Sequence, residues 1–313
     1  MTTLPSPDAP LRIGTRGSPL ALAQACETRD RLAAAFDLPA AAFEIQVIKT
    51  TGDIVQDRPL KEIGGKGLFT REIEAALMDG GIDIAVHSMK DMPVLQPESL
   101  VIDCYLPRED VRDAFVSPSL TRLEDLAHGA VVGTSSLRRK AQLLIRRPDL
   151  QVVEFRGNVQ TRLRKLHDGV AQATFLATAG LVRLGILGEI PATPIPEDVL
   201  LPAIAQGAIG IERRESDVRV AEMLAAIHDR ETGERLAAER AFLATLDGSC
   251  ETPIAGLAVL DGGTLHLKGE VLRPDGSEVA TEEISGPIAD GAAMGQDIAR
   301  KILGRTGPDF FRL

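Results

Sequence analysis

The sequence predicts an α/β protein whose last third is a separate α+β domain. Two patterns and the chain length carry this. From residue 11 to about 200, short β-rich runs alternate with amphipathic helical stretches, as layered folds with mostly parallel strands require. After about residue 223 the order changes to two helical stretches, three β-rich runs and a final helix. At 313 residues the chain exceeds one typical domain and accommodates two or three of roughly 100 residues each.

Strands are expected at 11–15, 43–49, 82–88, 99–106, 130–134, 151–156 and 173–177. The first helix starts where Ser18 offers an N-cap oxygen and Pro19 a preset φ at the first helical position. Another is expected to be capped near Ser135 and to run to Arg147, with Leu137, Ala141, Leu144 and Ile145 on one face. Residues 105–112 turn polar around a proline, and residues 191–202 hold four prolines, so both suit crossings between lobes. Residues 50–68 lack periodicity and are rich in glycine and proline, which predicts a long loop of the kind that serves as a lid, with Lys66 among its glycines. In the last third, β-rich runs near 254–260, 264–273 and 278–284 precede a helix from about 288.

Composition excludes several classes. A net charge of -10, no Trp and an aromatic fraction of 3% leave neither the basic face nor the stacking platforms of a nucleic-acid binder. No apolar run approaches the roughly 18 residues of a membrane span, and no basic-then-apolar segment opens the chain, so no membrane association and a cytoplasmic location are expected. Cysteines at 26, 104 and 250 are far apart without a CxxC pair, and the five histidines show no ligand spacing, so neither disulfides nor a metal site is predicted.

Charge is unevenly distributed. Residues 131–165 carry seven Arg and two Lys against Asp149 and Glu154, a local +7 in a chain of -10. Arg146, Arg147, Arg164 and Lys165 read as a solvated face. Arg138 and Arg139 differ, because they fall in the first turn of a helix, where the macrodipole disfavours cations and an anion must compensate. Arg16 follows a strand and precedes a capped helix, while Arg156 ends a strand just before Gly157, Asn158 and the helix bearing Arg162. Helix starts beyond the carboxyl ends of parallel strands bind anions, and a guanidinium suits carboxylate or phosphate equally. The pattern favours a shared anion cleft over scattered surface charge. GGKGLFT lacks the Lys-Ser/Thr step of a phosphate loop and no GxGxxG opens a helix, so a nucleotide enzyme is not expected.

Two further positions stand out. Ile82, Ile84 and Val86 alternate along a strand, after which His87, Ser88, Lys90 and Asp91 crowd a turn ended by Pro93. Asp91 either serves a site or pairs with Lys90 in the turn, and His87 is equally a structural hydrogen-bonding residue. Cys26 and Cys104 look like small buried hydrophobes, whereas Cys250, in the polar turn LDGSCETPI, is the better candidate for a reactive or modified thiol.

Eight segments together resemble the porphobilinogen deaminase family, also called hydroxymethylbilane synthase. They are GTRGSPLAL at 14–22, IGGKGLFTREIE at 63–74, DIAVHSMKDMP at 83–93, REDVRDAFV at 108–116, VGTSSLRRKAQL at 132–143, FRGNVQTRLRKL at 155–166, PAIAQGAIGIE at 202–212 and DGSCETPIAG at 247–256. The resemblance covers nearly the whole chain. It implies a transferase of heme biosynthesis that condenses four porphobilinogen molecules head to tail with loss of ammonia, then releases the linear tetrapyrrole hydroxymethylbilane by hydrolysis. It also implies a dipyrromethane cofactor, made from the same substrate and joined by a thioether to a cysteine that matches Cys250. Asp91 matches the aspartate that would hydrogen-bond pyrrole N–H groups, assist ammonia departure and stabilise a cationic azafulvene intermediate. Arg16, Arg138, Arg139, Arg156 and Arg162 match arginines that hold acetate and propionate groups, Arg183 a further arginine nearby, and Ser18, Ser88, Lys90 and Ser136 neighbouring polar contacts. Lys66 and Phe69 match the covering loop, although Glu62 stands where the family pattern often has lysine, with Lys61 beside it.

The same resemblance implies two periplasmic-binding-protein-like α/β domains plus a C-terminal α+β domain. These would be residues 11–104 with a return segment at 205–222, residues 105–204, and residues 223–313 with the cofactor cysteine. A monomer is implied, and its product would be handed over to the next pathway enzyme. A solute-binding protein and a redox thiol enzyme are the competing readings. Asp91 and the third domain count against the first, and the lack of a second cysteine near Cys250 counts against the other.

Overall fold

Among residues 4–54, 70–248, 252–306 and 310, which the computed structural model describes, the strands form three sheets. The chain divides into one unit of Met1–Glu109 with Ala208–Gly233 and another of Asp110–Gly207 with Glu234–Leu313.

In the first unit, β1 (Leu11–Thr15) is buried at four of five positions, and it accordingly lies inside the sheet with a parallel neighbour on each side, β2 (Phe43–Val47) and β3 (Ile84–Ser88). Beyond β3 comes β10 (Ile209–Arg214), antiparallel to it, and then β4 (Leu100–Tyr105) at the edge. Ile13, Ile84, Val86, Ile209 and Ile211 pack with Ala25 and Leu32 of α1 (Pro19–Phe36) and with Val220 and Met223 of α6 (Val218–Ala225). Ala85 and Leu100 instead meet Ile73 and Leu77 of α2 (Arg71–Met78). Because both faces are covered, these strands read as nearly continuous apolar runs. Just before β3, the Asp83 carboxylate accepts from the Arg12 backbone N–H at 2.8 Å and from its guanidinium at 2.9 and 3.1 Å. Burial works to raise the Asp83 carboxyl, but the Arg12 hydrogen bonds outweigh it and hold the group below its usual range.

The first sheet of the second unit repeats this plan. Its order is β7 (Gln151–Val153), β6 (Val131–Gly133), β8 (Ala173–Ala177), β5 (Asp113–Val116) and β9 (Ala192–Pro194). β6 runs parallel to β7 and β8, and β5 runs antiparallel to β8 and β9. In both sheets the antiparallel strand comes from chain that has just crossed between units, so one strand of each sheet is out of sequence order.

The remaining sheet is an antiparallel meander of β11 (Ile254–Asp261), β12 (Thr264–Leu272) and β13 (Val279–Pro287). Helices α7 (Arg230–Thr245) and α8 (Gly291–Thr306) accompany it. A Cβ on Gly269 of β12 would lie 2.5 Å from the Phe242 ring, so the sheet accepts that ring only where the side chain is absent. Glu239 of α7, fully buried, accepts from the Ala205 N–H at 2.7 Å and the Ala258 N–H at 2.9 Å. It thereby fixes Ala205, whose φ of 59° is unusual for a non-glycine residue.

The sequence expectations differ from the structure in ways that have physical reasons. No strand was expected at 113–116, 192–194 or 209–214. β5 is four residues long and opens on an aspartate, β9 ends on a proline at a sheet edge, and β10 pairs far from its sequence neighbours. The strand expected at 151–156 ends at Val153, because the Phe155 N–H donates to the Ser135 hydroxyl at 3.0 Å instead of to a neighbouring strand. The cap expected near Ser135 is Ser136, and α3 runs Leu137–Arg146.

Gly295 of α8 lies so close to α7 that a Cβ there would stand 2.3 Å from the Ala238 carbonyl oxygen. Alanine gains about 1 kcal/mol in helix propensity over glycine, but two backbones must separate to admit it. We expect Gly295→Ala to lower unfolding free energy by about 1–3 kcal/mol in urea titration. A stabilised variant would refute the close approach.

Candidate active site

The end of β3 builds the first group of candidate residues. His87 points into the interior, where its Nε2 lies 3.1 Å from the Glu212 carboxylate of β10, and both side chains are buried. The Ser88 hydroxyl meets the side-chain amide of Gln24, a buried residue of α1, at 2.8 Å to Nε2 and 3.0 Å to Oε1. The Met89 N–H then donates to Ala208 O at 3.0 Å, and Met89–Asp91 forms one 3-10 turn closed by Met92 N–H to Met89 O at 3.2 Å. Met89 and Met92 are both buried. The turn is therefore anchored by its methionines, with Lys90 half-buried and Asp91 exposed between them. A carboxylate on a pinned turn keeps its direction without losing access to a ligand.

At the start of α1, Ser18 accepts from the Ala21 N–H at 3.2 Å, so its oxygen caps the helix as expected. Arg16 is half-buried at the end of β1.

The second unit holds the other arginines. Ser136 caps α3 by accepting from the Arg139 N–H at 3.4 Å. Arg138 and Arg139 are buried, and the anion they meet in this structure is Asp113, a fully buried carboxylate at the start of β5. Arg138 Nη2 donates to one oxygen at 2.7 Å, while Arg139 donates to the other through Nη2 at 2.6 Å and Nε at 3.2 Å. Gln206 Nε2 adds a donor at 3.0 Å. Arg138 Nη1 also donates to Leu201 O at 2.8 Å and Gln142 Oε1 at 2.9 Å, and Arg139 Nη1 donates to Phe175 O at 2.9 Å. Burial would raise the Asp113 carboxyl, but the two guanidiniums prevail and hold it well below the usual range. Burial lowers the Arg138 group, opposed by the charge of Asp113. Arg138 Nε is buried without a hydrogen-bond partner among the described residues.

Arg156 and Arg162 flank the Gly157 turn and are half-buried. Gly157 has φ +119°, and a Cβ there would lie 2.6 Å from Thr161 Cγ2, so only glycine lets the chain enter α4 (Val159–His167) this way. Asn158 caps α4 by accepting from the Thr161 N–H at 2.9 Å, and Arg162 Nε donates to Gly157 O at 2.9 Å. Arg183, half-buried, ends α5 (Thr178–Arg183).

The structure thus places Ser88, Lys90 and Asp91 at one strand end, Arg138 and Arg139 on one carboxylate, and Arg156 and Arg162 at one turn. Cys250, Lys66, Phe69, Lys61 and Glu62 lie outside the described residues. Cys104 is buried, and burial pushes its thiol up to about 12, whereas Cys26 on α1 is half-buried. Among the described residues no group of three or more His, Cys, Asp or Glu could hold a metal ion, and no helix is long and apolar enough to cross a membrane. Sequence reasoning missed Gln24, Asp113, Gln142, Gln206 and Glu212. Only Asp113 left a signal, as a lone acid opening the apolar run DAFV.

Removing one partner of a buried ion pair leaves an uncompensated charge, so Asp113→Asn should destabilise the protein by about 3–5 kcal/mol in urea titration. The folded carboxyl titrates below its unfolded value, so this stabilisation is complete above about pH 5 and is lost as pH falls further. The stability difference between parent and variant should therefore shrink in acid. A difference constant with pH would contradict an ionised Asp113.

Comparison with known proteins adds the following. Residues 11–222 match the family model "Porphobilinogen deaminase, dipyromethane cofactor binding domain", and residues 234–304 match "Porphobilinogen deaminase, C-terminal domain". A curated porphobilinogen deaminase from Paracoccus denitrificans (strain Pd 1222) is 68% identical over 311 residues, 99% of each chain. Solved structures resemble this one loosely. A periplasmic substrate-binding protein of an ABC transporter from Coxiella burnetii is 16% identical with a TM-score of 0.41, covering 71% of this chain and 93% of that one. A His/Glu/Gln/Arg/opine family-binding protein from Silicibacter pomeroyi, in complex with lysine, is 18% identical with a TM-score of 0.35, covering 69% and 88%. The donor set fits the cofactor that the first family model names: half-buried arginines at helix and strand ends, and a buried guanidinium N–H without a partner among the described residues, suit a group bearing several carboxylates. With both of its family models matched in order and a curated relative aligned from end to end, the chain belongs to the porphobilinogen deaminase family.

Proposed function

We propose that the protein condenses four porphobilinogen molecules, head to tail, on a dipyrromethane primer and releases hydroxymethylbilane. Family membership supports the reaction, and the observation that carries the chemistry is the exposed Asp91 carboxylate on its anchored turn. In each round the aminomethyl carbon of the substrate loses ammonia, a C–C bond forms to the free α-carbon of the growing chain, and that carbon gives up its proton. The dipyrromethane, when bound, supplies the terminal pyrrole that takes the first unit.

Asp91 accepts from pyrrole N–H groups and offsets the positive charge that develops as ammonia departs. A fixed carboxylate beside a forming cation acts as the charge-inverted counterpart of an oxyanion hole. Arg16, Arg138, Arg139, Arg156, Arg162 and Arg183 hold acetate and propionate groups, and Lys90 adds a further cation. The caps Ser18 and Ser136 accept from helix N–H groups, which leaves each hydroxyl proton available to a ligand oxygen. Ser88 is oriented by Gln24. Cys250 carries the primer through a thioether, and Lys66 and Phe69 belong to the covering loop.

Three sheets support a division into residues 11–104 with 205–222, residues 105–204, and residues 223–313. The protein works as a monomer in the cytoplasm and hands its product to the next pathway enzyme.

Intact-protein mass spectrometry should show an excess over the sequence mass equal to two pyrrole units, absent in Cys250→Ser. Full activity from an unmodified chain would exclude the covalent primer. Asp91→Asn should retain its fold by circular dichroism and lose about 10²–10³-fold in kcat, since shape is kept while charge is lost. A solute-binding protein would release no ammonia from porphobilinogen in either form.

A further inference from the structure

Two guanidiniums buried side by side in the first turn of a helix need more negative charge than one carboxylate supplies. Asp113 provides the first counter-charge. The second comes through Gln142, whose Oε1 accepts from Arg138 Nη1 at 2.9 Å while its Nε2 donates to the Glu270 carboxylate at 2.8 Å. Glu270 lies on β12, in the sheet that follows Cys250 in sequence. Its negative charge opposes the effect of burial on Arg138. The same hairpin meets α3 again at Gly276, where a Cβ would stand 2.8 Å from Leu144 Cβ and 3.0 Å from Ala141 O. The distance between Glu270 and the arginines is therefore set by backbone packing as well as by the amide bridge.

We propose that Glu270 is a positioning residue that sets, through Gln142, how strongly Arg138 and Arg139 hold a ligand carboxylate. The proposal rests on the carboxylate-binding role given to these arginines above. With Asp113 and Glu270 both ionised, two guanidiniums and two carboxylates form a neutral cluster. An arriving acetate or propionate is then held by directed hydrogen bonds, including one from Arg138 Nε, and little by net charge. Such a hold is selective for a planar anion but weak enough to let successive carboxylates pass as the chain lengthens. A cluster with net positive charge would retain them.

Glu270→Gln removes the charge and keeps an amide oxygen that still accepts from Gln142. In the purified holoenzyme, with porphobilinogen as substrate, we expect KM to fall roughly fivefold, the effect of one charge acting over several ångströms with largely water-like screening. We also expect kcat to fall, with partly elongated enzyme species accumulating in intact-mass spectra. Glu270→Asp, which retains the charge, should restore KM to near the parent value, and Glu283→Gln, on the neighbouring strand and paired with Lys268, should change neither parameter. An unchanged or raised KM in Glu270→Gln overturns the proposal. Arg138→Lys separates its failure from that of the underlying reading: if KM rises there while Glu270→Gln has no effect, only the role of Glu270 falls, and if Arg138→Lys leaves KM unchanged, the carboxylate-binding role falls with it. Should Glu270→Gln fail to fold, Glu270→Met removes the same charge at similar length, and an unchanged or raised KM in that variant overturns the proposal equally.

Discussion

The carboxylate of Asp113 ties the start of β5 to the first turn of α3 and, through its arginines, to β8 and the connection after β9. It opens β5 with no exposure to solvent, receives both guanidiniums of the α3 start, and takes a further hydrogen bond from Gln206. Through the arginines it reaches the Phe175 carbonyl in β8 and the Leu201 carbonyl in the connection that follows β9. A carboxylate with this many charge-assisted partners is directional in a way that apolar packing is not. It fixes the rotation of α3 about its own axis, and hence where Arg138 and Arg139 present their remaining N–H groups.

The first unit solves the same problem differently. There a buried carboxylate also joins three strands, but Asp83 takes its partners from β1 and β10, with Arg214 as a second cation at 3.5 Å. That ion pair lies before β3, at the opposite end of the strand from Asp91. The strand end that carries Asp91 is held by uncharged or singly paired contacts instead: Gln24 on Ser88, the Ala208 carbonyl on Met89, and Glu212 on His87. The Arg12 and Arg214 pairing with Asp83 thus lies at the far end of the strand from the exposed Asp91 carboxylate.

Local signals in the sequence were reliable where the structure is local. Ser18 and Pro19 start α1 as their chemistry dictates, and the strands at 11–15 and 173–177 have the predicted limits. Where pairing is between distant segments, the pattern gave no warning: β10 carries Glu212 and Arg213, which pair with His87 and Asp103, neither of which is near in sequence. The macrodipole correctly demanded an anion at the α3 start, but it could not say whether that anion belongs to a ligand or to the chain, and in this structure it is Asp113. The cap expected near Ser135 is Ser136, because two adjacent serines are equivalent on paper and the Ser135 hydroxyl instead accepts from the Phe155 N–H.

The burial of Cys104 has a bearing on fidelity. If the primer is assembled on Cys250 from the enzyme's own substrate, the activated pyrrole is an electrophile generated inside a protein that contains other sulfur nucleophiles. A thiol pushed up to about 12 is almost wholly protonated at neutral pH, and one that donates to the Leu224 carbonyl beneath α6 is out of reach as well. Self-alkylation at that position would then be disfavoured both by basicity and by shielding, and the selectivity of primer attachment would rest in part on the hydrophobic core.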